Sequence, residues 1–196
     1  ERSPGKLRGR KATTLEGGMR VPFLARFPGK IPAGLVCESL TSMMDIFPTA
    51  AKLGGAPMPK NPLDGIDIWP LMTGQKKEIE REVLLYFEGW YLQCARLGRW
   101  KLDLTRANGD SYSATPAGGR KNFPLVTTEL YDVVTDTNES YNVADKHPEI
   151  VKDIRARVTR LIAGFPEEVR KAWAETQSRV NVETRSGAYA REASKL

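Results

Sequence analysis

The sequence predicts an α/β segment followed by a small α+β domain, in which an antiparallel sheet packs against a C-terminal helix. An apolar run of strand length at 21–27 precedes an apolar stripe with helical spacing at 46–53. From residue 82 onward, strand-length runs follow one another closely, as in an antiparallel sheet. A long stripe with i, i+4 spacing begins at Pro148 and requires an apolar partner, for which the sheet is the natural choice.

The first half of the chain contains two predicted elements. The run at 21–27 ends in Pro-Gly and predicts a buried strand. A helix is predicted over 46–53, with Asp45 as its N-cap and Pro48 in the first turn, where the missing N–H costs nothing. Gly54-Gly55 is expected to end this helix.

The second half is predicted to be a sheet covered by helices. Strands are expected at 82–87, 91–97, 100–104 and 128–134. Gly98-Arg99 predicts a tight hairpin between the second and third of these strands. The stretch 105–124 is rich in Gly, Ser and Pro and predicts a long loop. The helix from Pro148 should end at Gly164, before a shorter helix at 167–177.

A charged stretch at 75–81 marks the predicted break between the two parts. The predicted domains are residues 1–76, which form an α/β segment, and residues 77–177, which form the small α+β domain. Residues 178–196 are polar and poorly patterned, so they are expected to be a mobile tail.

The net positive charge of the chain favours anions as binding partners. The net charge is +6 over 196 residues, which favours sulfated or phosphorylated small molecules, acidic glycans or nucleic acid. The cations are scattered and do not alternate with aromatic residues, so nucleic acid is not expected as a partner. No apolar run approaches the roughly 18 residues of a membrane span, so no membrane association is expected.

Cysteine and histidine are too scarce for several kinds of site. Cys37 and Cys94 are too few for a disulfide scaffold and too far apart for a C-x-x-C pair, so two buried thiols are favoured over a single bridge. His147 is the only histidine, which excludes zinc sites that need several. It precedes Pro148 at a helix start, where capping is its simplest role. No metal site is predicted within this chain.

The most informative stretch lies near the start, and we call residues 5–20 the anion-facing loop. Its first half carries four cations, Lys6, Arg8, Arg10 and Lys11. Thr13-Thr14 follows, and Glu16 then stands before two glycines that permit close approach of the backbone. A compact ammonium group beside small residues can be set against an anionic ester oxygen, which makes Lys11 the leading candidate.

This loop resembles the Lys-x-Thr-x-x-Glu-Gly-Gly-x-Arg-x-Pro segment of sulfatases, with Lys11 as the first residue of the motif. Further segments are similar to the same family: Ser42 to Thr49, Asp64 to Asp67 with Pro70-Leu71, Leu97 to Leu102, and Glu129 to Ala144. The resemblance runs from residue 5 to about residue 165. It implies that the chain is the C-terminal portion of a sulfatase and that residues 1–76 are the end of the large α/β domain.

The resemblance also implies roles for individual residues. Lys11 would contact the sulfate oxygens, Arg10 would join it in binding substrate, and Glu16 with Arg20 would fix the loop. In this family a formylglycine nucleophile made from Cys-x-Pro-x-Arg and a Ca²⁺ ion carry the chemistry. The Cys-x-Pro-x-Arg segment and the calcium-binding aspartates are missing from this sequence, so both groups are expected to lie outside this chain.

The partners implied by the resemblance are a sulfate-ester small molecule or a sulfated glycan, and the remainder of the sulfatase domain. A periplasmic, secreted or lysosomal location is implied in the same way. Two alternatives stay open. One is a phosphonate or phosphate ester hydrolase on the same scaffold. The other is a non-catalytic module that binds sulfated glycans through Arg8, Arg10 and Lys11, or that pairs with a partner chain.

Overall fold

The computed structural model describes residues 5–107 and 121–179. The chain divides into two compact units. The sheet unit combines the residues up to Arg20 with those from Glu82 onward, and the second unit comprises Val21–Arg81. The anion-facing loop therefore belongs to the same unit as the sheet, although more than sixty residues separate them along the chain. The domain boundaries at 76/77 and 177/178 stay a prediction.

Within the described residues, one antiparallel sheet has the strand order β1-β2-β3-β4. Its strands are β1 (Leu84–Glu88), β2 (Tyr91–Leu97), β3 (Trp100–Ala107) and β4 (Asn122–Asp132). The hairpin predicted at Gly98-Arg99 joins β2 to β3, and Gly98 has the positive φ of 54° that such a tight turn requires. β3 and β4 extend into the predicted loop at 105–124, and residues 108–120 lie outside the described residues.

Two helices cover one face of the sheet, as the apolar stripe predicts. They are α4 (Pro148–Ala163) and α5 (Glu167–Ser178). Ile154, Val158 and Ile162 of α4 are buried against Leu102 and Leu130 of the sheet. The predicted tail at 178–196 lies outside the described residues beyond Arg179.

The capping role predicted for His147 is not observed. His147 stands at the N-cap position of α4, but its side chain makes no capping hydrogen bond there. The imidazole instead lies against Trp100, with ring centroids 4.6 Å apart. A partly buried indole next to the helix start offers the ring more contact than a free backbone N–H group does.

The opposite face of the sheet is polar, and it is nevertheless buried. Along β3 the side chains alternate, because successive residues of a strand point to opposite faces. Leu102 and Leu104 belong to the core beneath the helices, whereas Lys101 and Asp103 lie on the other face and are also buried. Thr14 of the anion-facing loop contacts this polar face through Lys101. The loop therefore helps to exclude water from charged side chains.

The Val21–Arg81 unit is organised around a buried aspartate. Its helices are α2 (Ile46–Leu53) and α3 (Trp69–Met72), so the helix predicted over 46–53 is confirmed. Asp45 does not cap α2 through its side chain. Its carboxylate accepts from the backbone N–H groups of Ser42 (2.7 Å) and Ile66 (2.9 Å) and pairs with Arg81.

The strand predicted at 21–27 was wrong, because these residues have no strand pairing in the structure. A strand needs a neighbour for its backbone hydrogen bonds, and the described residues of this unit supply none. Several large apolar side chains of the unit are exposed instead, led by Leu24 at 95% and Val36 at 81%.

The two cysteines form no disulfide, which agrees with the preference for two thiols over a bridge. Only Cys94 is buried, however, and Cys37 is exposed. Cys37 lies in an irregular segment of the Val21–Arg81 unit, which has few buried side chains to cover it. None of the helices in the described part of the chain has the length and apolar character needed to cross a membrane.

Candidate anion-facing loop and its buried support

Lys11 lies on a tight turn at the surface. The turn is closed by the Thr13 N–H, which donates to the carbonyl of Arg10 at 3.1 Å, and by the Thr13 hydroxyl, which donates to the same oxygen at 2.8 Å. Ala12 has a φ of +66°, which L-residues rarely adopt. The Lys11 side chain is exposed and has no hydrogen-bond or ion-pair partner among the described residues.

Two glycines let the loop fold back on itself after this turn. The Gly17 N–H donates to the Arg8 carbonyl at 2.7 Å. A Cβ on Gly18 would lie 2.3 Å from the Thr13 carbonyl oxygen and 2.5 Å from that of Arg10, closer than any side chain can approach. Glycine is thus needed at both positions because backbone meets backbone here, and both glycines lie within α1 (Glu16–Met19).

Glu16 anchors the loop by its carboxylate, which is fully buried. Its Oε2 accepts from Arg20 at 2.7 Å and from Arg96 of β2 at 2.5 Å. The Tyr86 hydroxyl donates to Oε1 at 3.3 Å. Burial, together with the nearby Glu16 carboxylate, raises the pKa of Tyr86, so this hydroxyl stays protonated and remains a donor.

Lys101 and Glu139 hold the loop from beneath, and both side chains are fully buried. The Lys101 ammonium donates to the Thr14 carbonyl at 2.5 Å and to Glu139 Oε1 at 2.6 Å. Glu139 Oε2 accepts from the Glu16 backbone N–H at 3.0 Å. We call Glu16, Arg96, Lys101 and Glu139 the buried cluster; its two carboxylates are balanced by two cations, as buried charges require.

Comparison with known proteins finds similarity to sulfatases. The family model for the C-terminal part of N-sulphoglucosamine sulphohydrolase matches residues 10–95. Arylsulfatase A of Bos taurus is 34% identical over 166 residues, which cover 80% of this chain and 32% of the relative. Human steryl-sulfatase is 44% identical over 95 residues, which cover 48% of this chain and 16% of the relative.

A solved sulfatase from Pseudoalteromonas sp. is similar in fold, with a TM-score of 0.69 at 23% identity in an alignment that covers 90% of this chain and 34% of that protein. The chain matches the C-terminal portion of a sulfatase. It spans about a third or less of the length of these relatives. The residues predicted to carry the sulfatase motif form three features of this loop. These are the closed turn, the close backbone contact at the two glycines and the buried carboxylate that anchors the loop.

The cations of the anion-facing loop lie in different environments. The Arg8 guanidinium donates to the Glu139 carbonyl at 2.8 Å and thus ties the loop to the turn after β4. Arg10 and Lys11 are exposed at the closed turn. Arg8 therefore has a structural partner, which weakens its predicted share in a glycan-binding patch.

Sequence reasoning missed three members of the buried cluster: Arg96, Lys101 and Glu139. A charged residue that alternates with leucine in a strand ordinarily indicates a solvated face. The only signals were the Leu97 to Leu102 and Glu129 to Ala144 segments, which contain Lys101 and Glu139 and resemble sulfatases although they carry no motif chemistry.

The described residues contain no group of three or more His, Cys, Asp or Glu side chains that could hold a metal ion. The two carboxylates of the buried cluster, Glu16 and Glu139, are both paired with cations. This donor set does not fit a calcium ion, which takes 6–8 oxygen ligands.

Replacing Ala12 by glycine should stabilise the protein. A left-handed conformation costs an L-residue about 1–2 kcal/mol, whereas glycine loses only about 0.5–1 kcal/mol of extra chain entropy on folding. The free energy of unfolding should therefore rise by about 0.5–1 kcal/mol, measured by urea titration. Ala33→Gly is the control, because Ala33 is exposed and has an ordinary φ. A loss of stability at both positions would contradict the prediction.

Proposed function

We propose that this chain is the C-terminal part of a sulfuric ester hydrolase and that Lys11 contacts the sulfate group of the substrate. Arg10, next to Lys11 on the same exposed turn, is proposed as a second substrate contact. The substrate class is a sulfate-ester small molecule or a sulfated glycan. The whole protein is proposed to act in a periplasmic, secreted or lysosomal compartment, as the family resemblance implies.

The observation that carries the proposal is the contrast between the exposed Lys11 and the buried charges that support the loop. Glu16, Lys101 and Glu139 are buried and paired, whereas Lys11 is exposed on a rigidly closed turn without a partner among the described residues. A cation that is held in place but left unpaired supports recognition of an anion from outside the chain. In a reaction, its charge would offset the negative charge on the sulfuryl oxygens.

The exposed apolar surface of the Val21–Arg81 unit supports a further part of the proposal, that the rest of a sulfatase domain covers it. The exposed side chains are spread over the whole unit: Val21, Phe23, Leu24, Phe27, Leu35, Val36, Met43, Met44, Ile46, Phe47, Leu53, Met58 and Leu63. A soluble unit of this size rarely exposes so many large apolar groups unless a partner buries them. The run at 21–27 would find its missing strand neighbours in that partner.

Formylglycine and Ca²⁺ are proposed to be supplied by residues outside this chain, since the described residues offer neither. When bound, they would supply the nucleophile and a fixed positive charge at the ester. The residues of this chain would bind and orient the sulfate: Lys11 by its ammonium, and the buried cluster by fixing the backbone on either side of Leu15.

Turnover by the complete polypeptide that contains this chain tests the proposal. An aryl sulfate, an aryl phosphate and an aryl phosphonate are compared under identical conditions in the presence of Ca²⁺. The sulfate should be hydrolysed with the highest kcat/KM. A higher kcat/KM for the phosphonate or phosphate would favour the alternative hydrolase, and no turnover of any ester would overturn the assignment.

A further inference from the structure

The buried cluster contains a continuous path of hydrogen bonds from one side of the loop backbone to the other. It runs from the Thr14 carbonyl to the Lys101 ammonium, then to Glu139 Oε1, and from Glu139 Oε2 to the Glu16 N–H. The two side chains thus form hydrogen bonds with the backbone on both sides of Leu15. Neither of them is exposed, so neither can touch a substrate itself.

We propose that Lys101 and Glu139 are positioning residues for Lys11, which they hold in place through the backbone of Thr14 and Glu16. This inference rests on the proposed function, because it concerns the placement of the sulfate-contacting ammonium. It assigns to the sheet unit a part in the reaction that is separate from its packing.

The backbone between Lys11 and the residues held by Lys101 and Glu139 is closely constrained. Thr14 is three residues beyond Lys11, and the turn between them is closed by two bonds from Thr13 to the Arg10 carbonyl. On the other side, Gly17 is bonded to the Arg8 carbonyl. A shift of Thr14 or Glu16 is therefore passed to the turn that carries Lys11.

Charge balance explains why losing one side chain should produce such a shift. Lys101 lies 2.6 Å from Glu139 and 3.8 Å from Glu16 and faces both carboxylates. Without its ammonium, Glu139 would keep a buried charge that no longer has this partner, and it would have to move toward another cation or toward water. Its hold on the Glu16 N–H would then be weakened.

The test is a double-mutant cycle in the complete polypeptide, with an aryl sulfate as substrate. Lys101→Met and the milder Glu139→Gln are each made alone and together with Lys11→Ala. Each single change should lower kcat/KM about 10–100-fold, since small misplacements of a reacting group cost up to about 10²-fold. In the Lys11→Ala background the same changes should have almost no further effect, because there is no ammonium left to misplace.

Glu129→Gln is the matched control, since Glu129 is equally buried on the sheet but pairs with Arg106 and Tyr131. If it affects kcat/KM at all, it should do so by the same factor in both backgrounds, as a loss of folded protein would. Equal factors for Lys101→Met and Glu139→Gln in the two backgrounds would overturn the positioning role.

Amide hydrogen exchange gives a second readout that needs no activity. Glu139→Gln should accelerate exchange at Glu16 and Gly17 at least 10-fold while leaving amides in the middle of α4 unchanged. Unchanged exchange at both loop amides would contradict the inference, even if the wild-type protein hydrolyses sulfate. A wild-type protein without sulfatase activity but with the expected exchange would overturn the proposed function and leave loop positioning by the buried cluster standing.

Discussion

Replacing Lys11 by alanine should lower kcat/KM for a sulfate ester about 10²–10³-fold in the complete polypeptide, the usual effect of losing one preorganised electrostatic partner. Lys11 is the exposed cation of a turn that the rest of the loop fixes in place. Its ammonium need not be withdrawn from another ion pair in the described structure before it meets the sulfate. Most of its attraction is therefore available to the charge that develops during the reaction.

Lys6→Ala is the matched control, because Lys6 is also an exposed lysine of the same loop. It should change kcat/KM less than threefold and leave the free energy of unfolding within about 0.5 kcal/mol of the wild type, as is usual for surface changes. Lys11→Ala should be equally stable. Retention of most of the activity by Lys11→Ala would contradict its sulfate-contacting role, and equal losses in the two variants would point to a general effect of loop charge.

Replacing Glu16 by glutamine should lower the free energy of unfolding by about 3–5 kcal/mol, the cost of breaking a buried ion pair from one side. The two side chains have nearly the same shape, so the change removes charge without making a cavity. Arg96, which is almost fully buried, would lose the carboxylate 2.5 Å from its guanidinium. The loss is measured by urea titration followed by circular dichroism.

Glu82→Gln provides the control for this substitution. Glu82 pairs with Arg157 at 2.9 Å and with Arg160 at 2.7 Å, but all three side chains are substantially exposed. Surface ion pairs contribute about 0–1 kcal/mol, so this variant should lose no more than that. Similar losses in both variants would mean that burial of the Glu16 pair adds nothing to stability.

The sequence was sufficient to predict the elements whose pattern is local. Among the described residues from 82 to 178, the strands and helices follow from alternation, from the hairpin glycine and from the stripe of α4, except that β3 and β4 extend into the stretch predicted to be a loop. The turn of the anion-facing loop could likewise be predicted, because its glycines and threonines act within a few residues of one another.

Features that depend on distant parts of the chain could not be predicted in this way. Whether Lys101 is solvated or buried depends on the loop around Thr14, eighty-seven residues earlier in the chain. The strand expected at 21–27 depends on neighbours that the described residues of its unit do not supply. In both cases the local pattern alone does not determine the structure, because burial or strand pairing depends on a distant partner.

The bond between Glu16 and Glu139 joins residues 123 positions apart. A ribosome makes the loop first and adds about 5–20 residues per second, so roughly ten seconds can pass before Glu139 is made. Until then the nascent loop lacks its hydrogen bond to Glu139 and can sample other conformations. The turn that carries Lys11 therefore cannot be fixed until Glu139 has been made, and a message truncated before the codon for Glu139 would yield a product in which this hydrogen bond never forms.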